Sequence, residues 1–321
     1  MQSKAIPSAA PTRRAAIITL IAARQIVSAQ QATPPAATPA TPQGAKDDAP
    51  HSPEINTTLM ETTFEILGPS ARQGEENQIR FGTGFVMLRR TKPDSDIGQY
   101  VVVTAKHVFD DIKGEYATMK LRKRRTGGDA ESFPFQLKVR DNNKNLYSTH
   151  PTADIAAIDV ALPNDTIVVQ RGADVISSDW LATDEFLESI AIHPGDELLC
   201  LGYPLGLAAN DAGYPILRGG KIASYPLIPL KKANRILYDF QVQPGNSGGP
   251  VYFSFTGRIR KGHLPPLGTV VTYQKLIGLV IQKADRVGNV DPFIGLIIPS
   301  VYIKETLDRM AGFESKINDS F

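Results

Sequence analysis

The residues best suited to chemistry are a serine, a histidine and an aspartate in three separate segments. Residues 243–250 read QPGNSGGP, which places Ser247 among three glycines. Glycine permits backbone conformations and close approaches that side chains forbid, so this loop can direct a hydroxyl and two backbone N–H groups to one point. We therefore predict Ser247 as a nucleophile, with the N–H groups of Gly245 and Ser247 as oxyanion donors.

A base and a carboxylate occur at the ends of two apolar runs. Residues 100–107 read YVVVTAKH, so His107 follows an apolar strand at the border between core and solvent. Asp154 begins the run DIAAI, which puts its carboxylate at the mouth of a buried strand. A carboxylate in that position can fix the tautomer of an imidazole, and the imidazole can then deprotonate a serine hydroxyl. The predicted chemistry is acyl transfer to Ser247.

Two alternatives compete with this assignment. Asp159 also begins a short apolar run, but the five-residue shift moves it to the far end of the strand and to the opposite face, so we prefer Asp154. Residues 245–249 also fit the G-x-S-x-G turn of α/β-hydrolases, which requires a helix after the serine and then Asp and His downstream. Here residues 250–253 continue as a strand, and His263 is the one histidine that follows the serine.

The elements that must position these residues are short strands. From about residue 60, β-branched and aromatic runs alternate with Gly, Pro, Asn and Asp, which is typical of antiparallel strands joined by turns. The predicted strands are 81–88, 100–104, 116–121, 133–139, 155–160, 197–201, 216–223, 236–242, 250–255, 276–281 and 293–298. Helical spacing occurs at 179–190, midway along the chain, and at 301–310. The strand count and the central connection predict an all-β fold with two barrels in one unit.

From about residue 81 to residue 310 the chain resembles the trypsin-like serine peptidases, most closely the bacterial high-temperature-requirement (Deg) proteases. In that family the order is His, Asp, Ser; the histidine follows Thr-Ala-x, the aspartate opens a DIA-like run and the serine lies in PGNSGGP. His107, Asp154 and Ser247 match these motifs in order. The resemblance implies a chymotrypsin-like pair of antiparallel six-stranded β-barrels with a C-terminal helix, and an active site between the barrels.

The resemblance also implies a substrate pocket. Its residues would be Gln241, Leu279, Val280, Ile281, Gln282, Leu296 and Ile297. None of these is acidic, so we expect small or medium aliphatic side chains at the cleaved position rather than Lys or Arg. Members of the Deg type usually carry a PDZ domain after the protease, and since only about a dozen residues follow the last predicted helix, we expect none here.

The N-terminal region has the composition of an export signal and a tether. Arg13 and Arg14 precede an apolar stretch at 15–23, and small residues at 27–29 offer a cleavage site, so we predict a signal peptide at 1–29, with a disordered tail as the alternative. The stretch is too short to span a bilayer. Residues 30–58, rich in Ala, Pro and Thr, are a predicted disordered linker. The predicted product is exported, either periplasmic or secreted.

The remaining boundaries follow from the strands and the two helical segments. The predicted protease domain covers 59–313, with a first barrel at about 59–163, a second at about 195–299, a C-terminal helix at about 300–311 and a tail at 314–321.

Composition argues against several other functions. The formal net charge is only +2, so the chain has no large excess of positive or negative charge that would indicate a nucleic-acid or membrane-surface partner. The basic run at 120–125 precedes TGG and is typical of a solvated hairpin edge. Cys200 is the one cysteine and lies in an apolar run, which indicates a buried, inert thiol. His51, His150 and His193 occur in turn-like contexts, which indicates solvated surface positions, and no spacing suits a metal, so no metal or cofactor is predicted.

The predicted function is that of a serine endopeptidase that acts on protein or peptide substrates through an acyl-enzyme on Ser247. A catalytically latent protein-binding or chaperone-like module on the same fold is the alternative, because the state of the oxyanion loop is a tertiary property. An esterase would use the same three residues. The sequence does not determine the oligomeric state.

Overall fold

The computed structural model describes residues 54–75, 77–90, 98–262, 270–283 and 294–310. The predicted signal peptide, residues 30–53 of the predicted linker, His51, His263 and the predicted tail lie outside the described residues. Helix α1 (Ile55–Thr62) begins inside the predicted linker, and the Glu54 carboxylate accepts hydrogen bonds from the first N–H groups of this helix. The side chains of Ile55 and Leu59 are fully buried, so an apolar helix face extends the folded part beyond the predicted start at 59.

The other helices are short, and most of the described chain is strand or turn. The helices are α2 (Lys106–Asp110), α3 (Ile167–Arg171), α4 (Asp184–Ser189), α5 (Leu230–Ala233) and α6 (Ser300–Arg309). The strands are β1 (Thr63–Pro69), β2 (Ile79–Arg90), β3 (Gly98–Thr104), β4 (Tyr116–Arg124), β5 (Ala130–Lys138), β6 (Arg140–Asp141), β7 (Lys144–Asn145), β8 (Ser148–Thr149), β9 (Ala156–Asp159), β10 (Glu197–Gly202), β11 (Ile216–Ile222), β12 (Ile236–Asp239), β13 (Pro250–Thr256), β14 (Thr272–Lys283) and β15 (Ile294–Pro299). The predicted central helix consists of a 3-10 turn at Ser178–Trp180 followed by α4.

The second half forms a closed barrel of six antiparallel strands in the order β10-β11-β12-β15-β14-β13. This architecture confirms the prediction of an all-β fold with one six-stranded barrel in the second half and a helix after it. Gly278 on β14 faces Ile298 of β15 so closely that a Cβ at Gly278 would lie 2.0 Å from Ile298 O. The close approach explains why a glycine interrupts an otherwise apolar strand.

The first half does not form the expected six-stranded barrel. It is a seven-stranded sheet in the order β5-β4-β1-β2-β3-β9-β8, and its two edge strands do not pair with each other within the described residues. Strand β5 contains Pro134, which has no N–H to donate, and such a strand is suited to an edge. Strand β8 is only two residues long. A short edge and a proline-bearing edge explain why the prediction of a closed first barrel was wrong.

The sheet and the barrel share an apolar contact. Along β14, Leu279 and Ile281 belong to the large cluster that fills the sheet, whereas Val280 between them belongs to the cluster inside the barrel. Successive side chains of a strand point to opposite faces, so one strand contributes to both cores. This contact lies directly behind the loop that carries Ser247, because Gly248 N–H donates to Val280 O and Val280 N–H donates to Gly249 O.

Candidate active site

His107 lies in the first turn of α2, immediately after the apolar strand β3 ends. Its ring Nδ1 is 2.6 Å from Asp154 Oδ2, and its backbone N–H donates to Asp154 Oδ1 at 3.0 Å. Arg140 holds the other end of this helix, because its guanidinium donates to Phe109 O at 2.6 Å and to Ile112 O at 2.7 Å. The imidazole is therefore fixed from both ends of a five-residue helix.

Asp154 lies in the turn that leads into β9, and both of its carboxylate oxygens accept from His107. Burial acts to raise the pKa of Asp154, but the hydrogen bonds from the ring and backbone of His107, together with the charges of His107 and Lys106, outweigh burial and lower it. The Asp154 carboxylate thus remains ionised and accepts a hydrogen bond from Nδ1–H of His107. The neutral imidazole then carries its proton on Nδ1 and leaves Nε2 as the acceptor.

The competing carboxylate Asp159 lies at the far end of β9. It forms an ion pair with Arg89, whose Nη2 is 3.2 Å from Asp159 Oδ1. Of the two candidate carboxylates, Asp154 contacts His107, whereas Asp159 contacts Arg89 of β2.

The loop before β13 carries Ser247 between glycines in left-handed conformations. Gly245 has φ +95° and Gly248 has φ +86°, values that side chains rarely adopt. A Cβ at Gly248 would lie 2.0 Å from Thr83 O and 3.0 Å from Ala105 N. Because Ala105 is two residues before His107, this contact brings the serine loop against the start of the histidine helix.

Thr83 of β2 binds the serine loop by two hydrogen bonds and the histidine segment by a third. Its N–H donates to Ser247 O at 2.8 Å, and its hydroxyl donates to Gly245 O at 2.6 Å. The carbonyl of Thr83 accepts from the hydroxyl of Thr104 at 2.6 Å. Thr104 is the last residue of β3, the strand that precedes His107. Thr83 therefore joins the serine loop to the histidine segment, a role that its sequence context, FGTGF, did not indicate.

The peptide groups around Gly245 leave two N–H groups available. Pro244 O accepts from Leu205 N–H at 2.7 Å and Gly245 O accepts from Thr83, so both carbonyls have partners. Within the described part of the chain, no acceptor is bound to the N–H groups of Gly245 and Ser247. These are the two donors that the sequence predicts for an oxyanion.

The Ser247 hydroxyl donates to Ile281 O at 2.6 Å. No hydrogen bond joins Ser247 Oγ to the His107 ring among the described residues. His107 and Asp154 are thus in direct contact and the serine loop packs against the start of the histidine helix, while the serine hydroxyl is turned toward β14.

The predicted pocket residues divide into three groups. Leu279, Ile281 and Leu296 are buried and belong to the cluster shared with the sheet. Val280 and Ile297 point into the core of the barrel, so they can meet a ligand only through their backbone. Gln241 is exposed, and its carbonyl accepts from Arg218 at 3.1 Å; Gln282 lies in β14, and its side chain is outside what the structure describes.

Two expectations about polar residues were wrong. His150 is 6% exposed; its Nδ1 accepts from Ala153 N–H at 2.9 Å and its Nε2 lies 2.9 Å from Glu305 of α6. It therefore closes the turn that ends at Asp154. In the basic run at 120–125, Arg122 is wholly buried, although the other basic residues of the run are exposed or partly exposed.

The other predictions concern residues remote from the cleft. Cys200 is 1% exposed in the barrel core, and burial raises the pKa of its thiol to about 12, so no reactive thiolate is available. His193 is exposed beside Asp196. In the described part of the chain, no cluster of three or more His, Cys, Asp or Glu side chains could hold a metal. None of the described helices has the length and apolar character that a bilayer span requires.

Comparisons with known proteins match the chain to one peptidase family. Residues 82–259 match the family described as trypsin-like peptidase domain. HhoA from Synechocystis sp. (strain ATCC 27184 / PCC 6803 / Kazusa), named as a candidate serine protease, is 24% identical over 229 residues, which cover 64% of this chain and 53% of HhoA. The chain thus spans about half the length of this curated relative.

Two solved structures also match the chain over most of its length. A thermostable serine protease, AL20, from an extremophilic microorganism is 9% identical with a TM-score of 0.43, and the match covers 78% of this chain and 97% of AL20. An inactive serine-to-alanine mutant of the Rv3671c protein from M. tuberculosis H37Rv is 18% identical with a TM-score of 0.39, and the match covers 84% and 92% of the two chains.

Proposed function

This chain belongs to the trypsin-like peptidase family, and we propose that it is a serine endopeptidase with Ser247 as nucleophile, His107 as general base and Asp154 as the group that orients the base. The observation that carries the proposal is the pair of hydrogen bonds from His107 to both oxygens of Asp154. The serine loop packs against the same helix and, within the described residues, leaves the N–H groups of Gly245 and Ser247 without an acceptor.

The proposed reaction begins with rotation of the Ser247 hydroxyl from Ile281 O toward His107 Nε2. The imidazole takes the hydroxyl proton as Oγ attacks the scissile carbonyl carbon, and the carbonyl oxygen becomes an oxyanion held by Gly245 N–H and Ser247 N–H. The same proton passes to the leaving amine as the C–N bond breaks. Water, deprotonated by His107, then hydrolyses the acyl-enzyme, and Asp154 stabilises the imidazolium in both steps.

The alternative is a latent binding module, and the Ser247–Ile281 hydrogen bond is the observation that favours it. Against it stands the oxyanion loop. A latent loop would turn a carbonyl into the oxyanion site, whereas Pro244 O is bound to Leu205 N–H and Gly245 O to Thr83. We propose that the Ser247 side chain rotates toward His107 when substrate binds, because catalytic hydrogen bonds often form only in the substrate complex. We therefore favour the peptidase.

The proposed substrates are proteins or peptides with a small or medium aliphatic residue before the cleaved bond. The absence of an acidic residue among the seven pocket positions supports this preference. A library of peptides varied at that position tests it: cleavage after Ala, Val or Leu is expected, and a profile dominated by Lys or Arg would contradict it.

We also propose that the chain is exported after removal of residues 1–29. N-terminal sequencing of the mature protein from its native host tests this, with Gln30 expected as the first residue. An intact N-terminus on cytoplasmic material would overturn it.

The activity itself is tested by hydrolysis of casein and of a fluorogenic peptide by the purified protein. Ser247→Ala is expected to abolish turnover of both. Ser254→Ala is the matched control, because Ser254 lies in β13 and accepts only from Gln274 Nε2 at 2.9 Å among the described residues. Equal loss in the two variants, or activity in Ser247→Ala, would reject Ser247 as the nucleophile.

A further inference from the structure

Arg122 is a buried cation whose hydrogen-bond acceptors are all uncharged. It lies on β4 with none of its surface exposed. Its Nη1 donates to Gly213 O at 2.7 Å and to Tyr203 OH at 3.1 Å, and its Nη2 donates to Thr63 O at 2.6 Å, Met60 O at 3.0 Å and Glu61 O at 3.1 Å. Within the described residues none of these acceptors is a carboxylate, so carbonyl dipoles must replace the water that the charge has lost.

Three features compensate for the burial of this charge. The guanidinium lies over the rings of Phe64, at 4.4 Å, and Tyr214, at 4.6 Å, and the faces of both rings are electron-rich. Two of its acceptors, on Met60 and Glu61, are carbonyls of the last turn of α1, where the helix dipole is negative. Only arginine has enough donors in one plane for five such bonds. The site is thus specific for this side chain.

Tyr203 connects this cation to the oxyanion loop. Its hydroxyl accepts from Arg122 and lies 2.9 Å from Gly213 O and 3.1 Å from Thr63 O. Its carbonyl lies under Gly245, since a Cβ at Gly245 would be 2.1 Å from Tyr203 O.

The backbone on both sides of Tyr203 also binds that loop. Tyr203 N–H donates to Thr83 Oγ1 at 3.2 Å, and the same hydroxyl donates to Gly245 O. Two residues further on, Leu205 N–H holds Pro244 O. Leu205 has φ +55°, a strained value for leucine that persists only where the surroundings impose it. The segment 203–205 therefore sets the orientation of the peptide group between Pro244 and Gly245.

We propose that Arg122 is a positioning residue for the oxyanion loop, acting through Tyr203, and that helix α1 completes its coordination so that the docked N-terminal helix is part of the active conformation. The inference rests on the proposed function. It assigns to a buried residue of β4, and to the first helix of the folded part, control over the direction of the Gly245 N–H.

The test compares Tyr203→Phe with Tyr238→Phe. Both substitutions remove one buried hydroxyl; that of Tyr238 donates to Leu198 O at 2.6 Å in the barrel and, among the described residues, forms no hydrogen bond with the oxyanion loop. Each variant is first checked for native circular dichroism and for its denaturation midpoint. Then kcat and KM are measured with a fluorogenic peptide, together with the rate of inactivation by a fluorophosphonate, whose phosphoryl oxygen occupies the oxyanion site.

For Tyr203→Phe we expect kcat and the inactivation rate to fall by about tenfold or more, with KM changed by less than about threefold, because the loss is confined to the transition state. For Tyr238→Phe all three should stay within about threefold of wild type. If Arg122→Lys folds, its kcat should fall further than that of Tyr203→Phe. If it does not fold, the comparison of Tyr203→Phe with Tyr238→Phe decides alone.

Equal kcat in the two tyrosine variants, with an active wild type, would overturn the role of Arg122 and leave the proposed function intact. A wild type that neither cleaves peptide nor reacts with the fluorophosphonate would instead reject the peptidase function, and the inference with it.

Discussion

His107 binds Asp154 by two hydrogen bonds at once, from its ring Nδ1 to Oδ2 and from its backbone N–H to Oδ1. The double contact fixes the ring in position and in tautomer, since a carboxylate that is already held by the backbone of residue 107 cannot turn away from its ring. The two residues are 47 positions apart and lie at the ends of neighbouring strands, β3 and β9.

Asp154→Asn should lower kcat by about 10⁴-fold while the fold is retained, because an amide stabilises the wrong imidazole tautomer. Asp159→Asn is the matched control: it makes the same change at the other end of β9 and removes the pairing with Arg89. Its kcat should stay within about threefold of wild type. Steady-state kinetics on both variants would contradict the assignment if Asp159→Asn were the more damaging substitution.

Stability should fall in acid more steeply in the wild type than in Asp154→Asn. The folded pKa of Asp154 is lowered below its unfolded value, so its contribution is complete above about pH 5 and is lost as the pH falls through the folded pKa, below 3.8. Urea midpoints between pH 6 and pH 3 measure the difference. The difference in urea midpoint between the wild type and Asp154→Asn should narrow as the pH falls. A difference that widened would mean that folding raises the pKa of Asp154 instead of lowering it.

Gly248→Ala should unfold or inactivate the protein, whereas Gly257→Ala should be tolerated. Both glycines have positive φ, so both substitutions incur backbone strain of about 1 to 2 kcal/mol. Only at Gly248 does the new methyl also meet backbone, 2.0 Å from Thr83 O, while nothing lies within 4 Å of a Cβ at Gly257. The free energy of unfolding of each variant is measured. Gly257→Ala reports the backbone strain alone, whereas Gly248→Ala adds the steric clash with Thr83. Similar values for the two variants would exclude the close approach at Gly248.

Cys200 should not react with a thiol reagent in the native protein. Its thiol is buried in the barrel, and burial raises its pKa to about 12, so neither access nor thiolate is available at pH 8. We expect one thiol to be titrated by dithionitrobenzoate in denaturant and none without it, with peptidase activity unaffected by iodoacetamide. Rapid native labelling with loss of activity would indicate that a cysteine takes part in the reaction.

Local pattern was sufficient to predict most strands. The run YVVVT predicts a buried strand that ends beside His107, and β3 spans Gly98–Thr104. Strand β1 was missed as a distinct strand because its residues, TFEILGP, lack the alternation of a half-buried strand. Six of its seven positions are buried or partly buried, and it lies between β2 and β4 in the sheet. The open first sheet was also missed, since closure depends on the edges at β5 and β8.

The supporting residues of the site could not be predicted in the same way. Charged side chains are usually exposed, so Arg122 in a basic run and His150 beside a proline were both expected on the surface. Their partners are carbonyls, N–H groups and a helix carboxylate that lie up to 155 residues away in the sequence, and no periodicity records them. Thr83 was missed for the same reason, because its function is to bind the backbone of a loop 162 residues later.

The most direct test of the central claim is to identify the atom that a fluorophosphonate modifies. The protein is incubated with the reagent at neutral pH, digested, and analysed by tandem mass spectrometry, with His107→Ala treated in parallel. We predict one adduct per chain on Ser247, formed much more slowly in His107→Ala. An adduct on a different residue, or equal rates in the two proteins, would contradict the account.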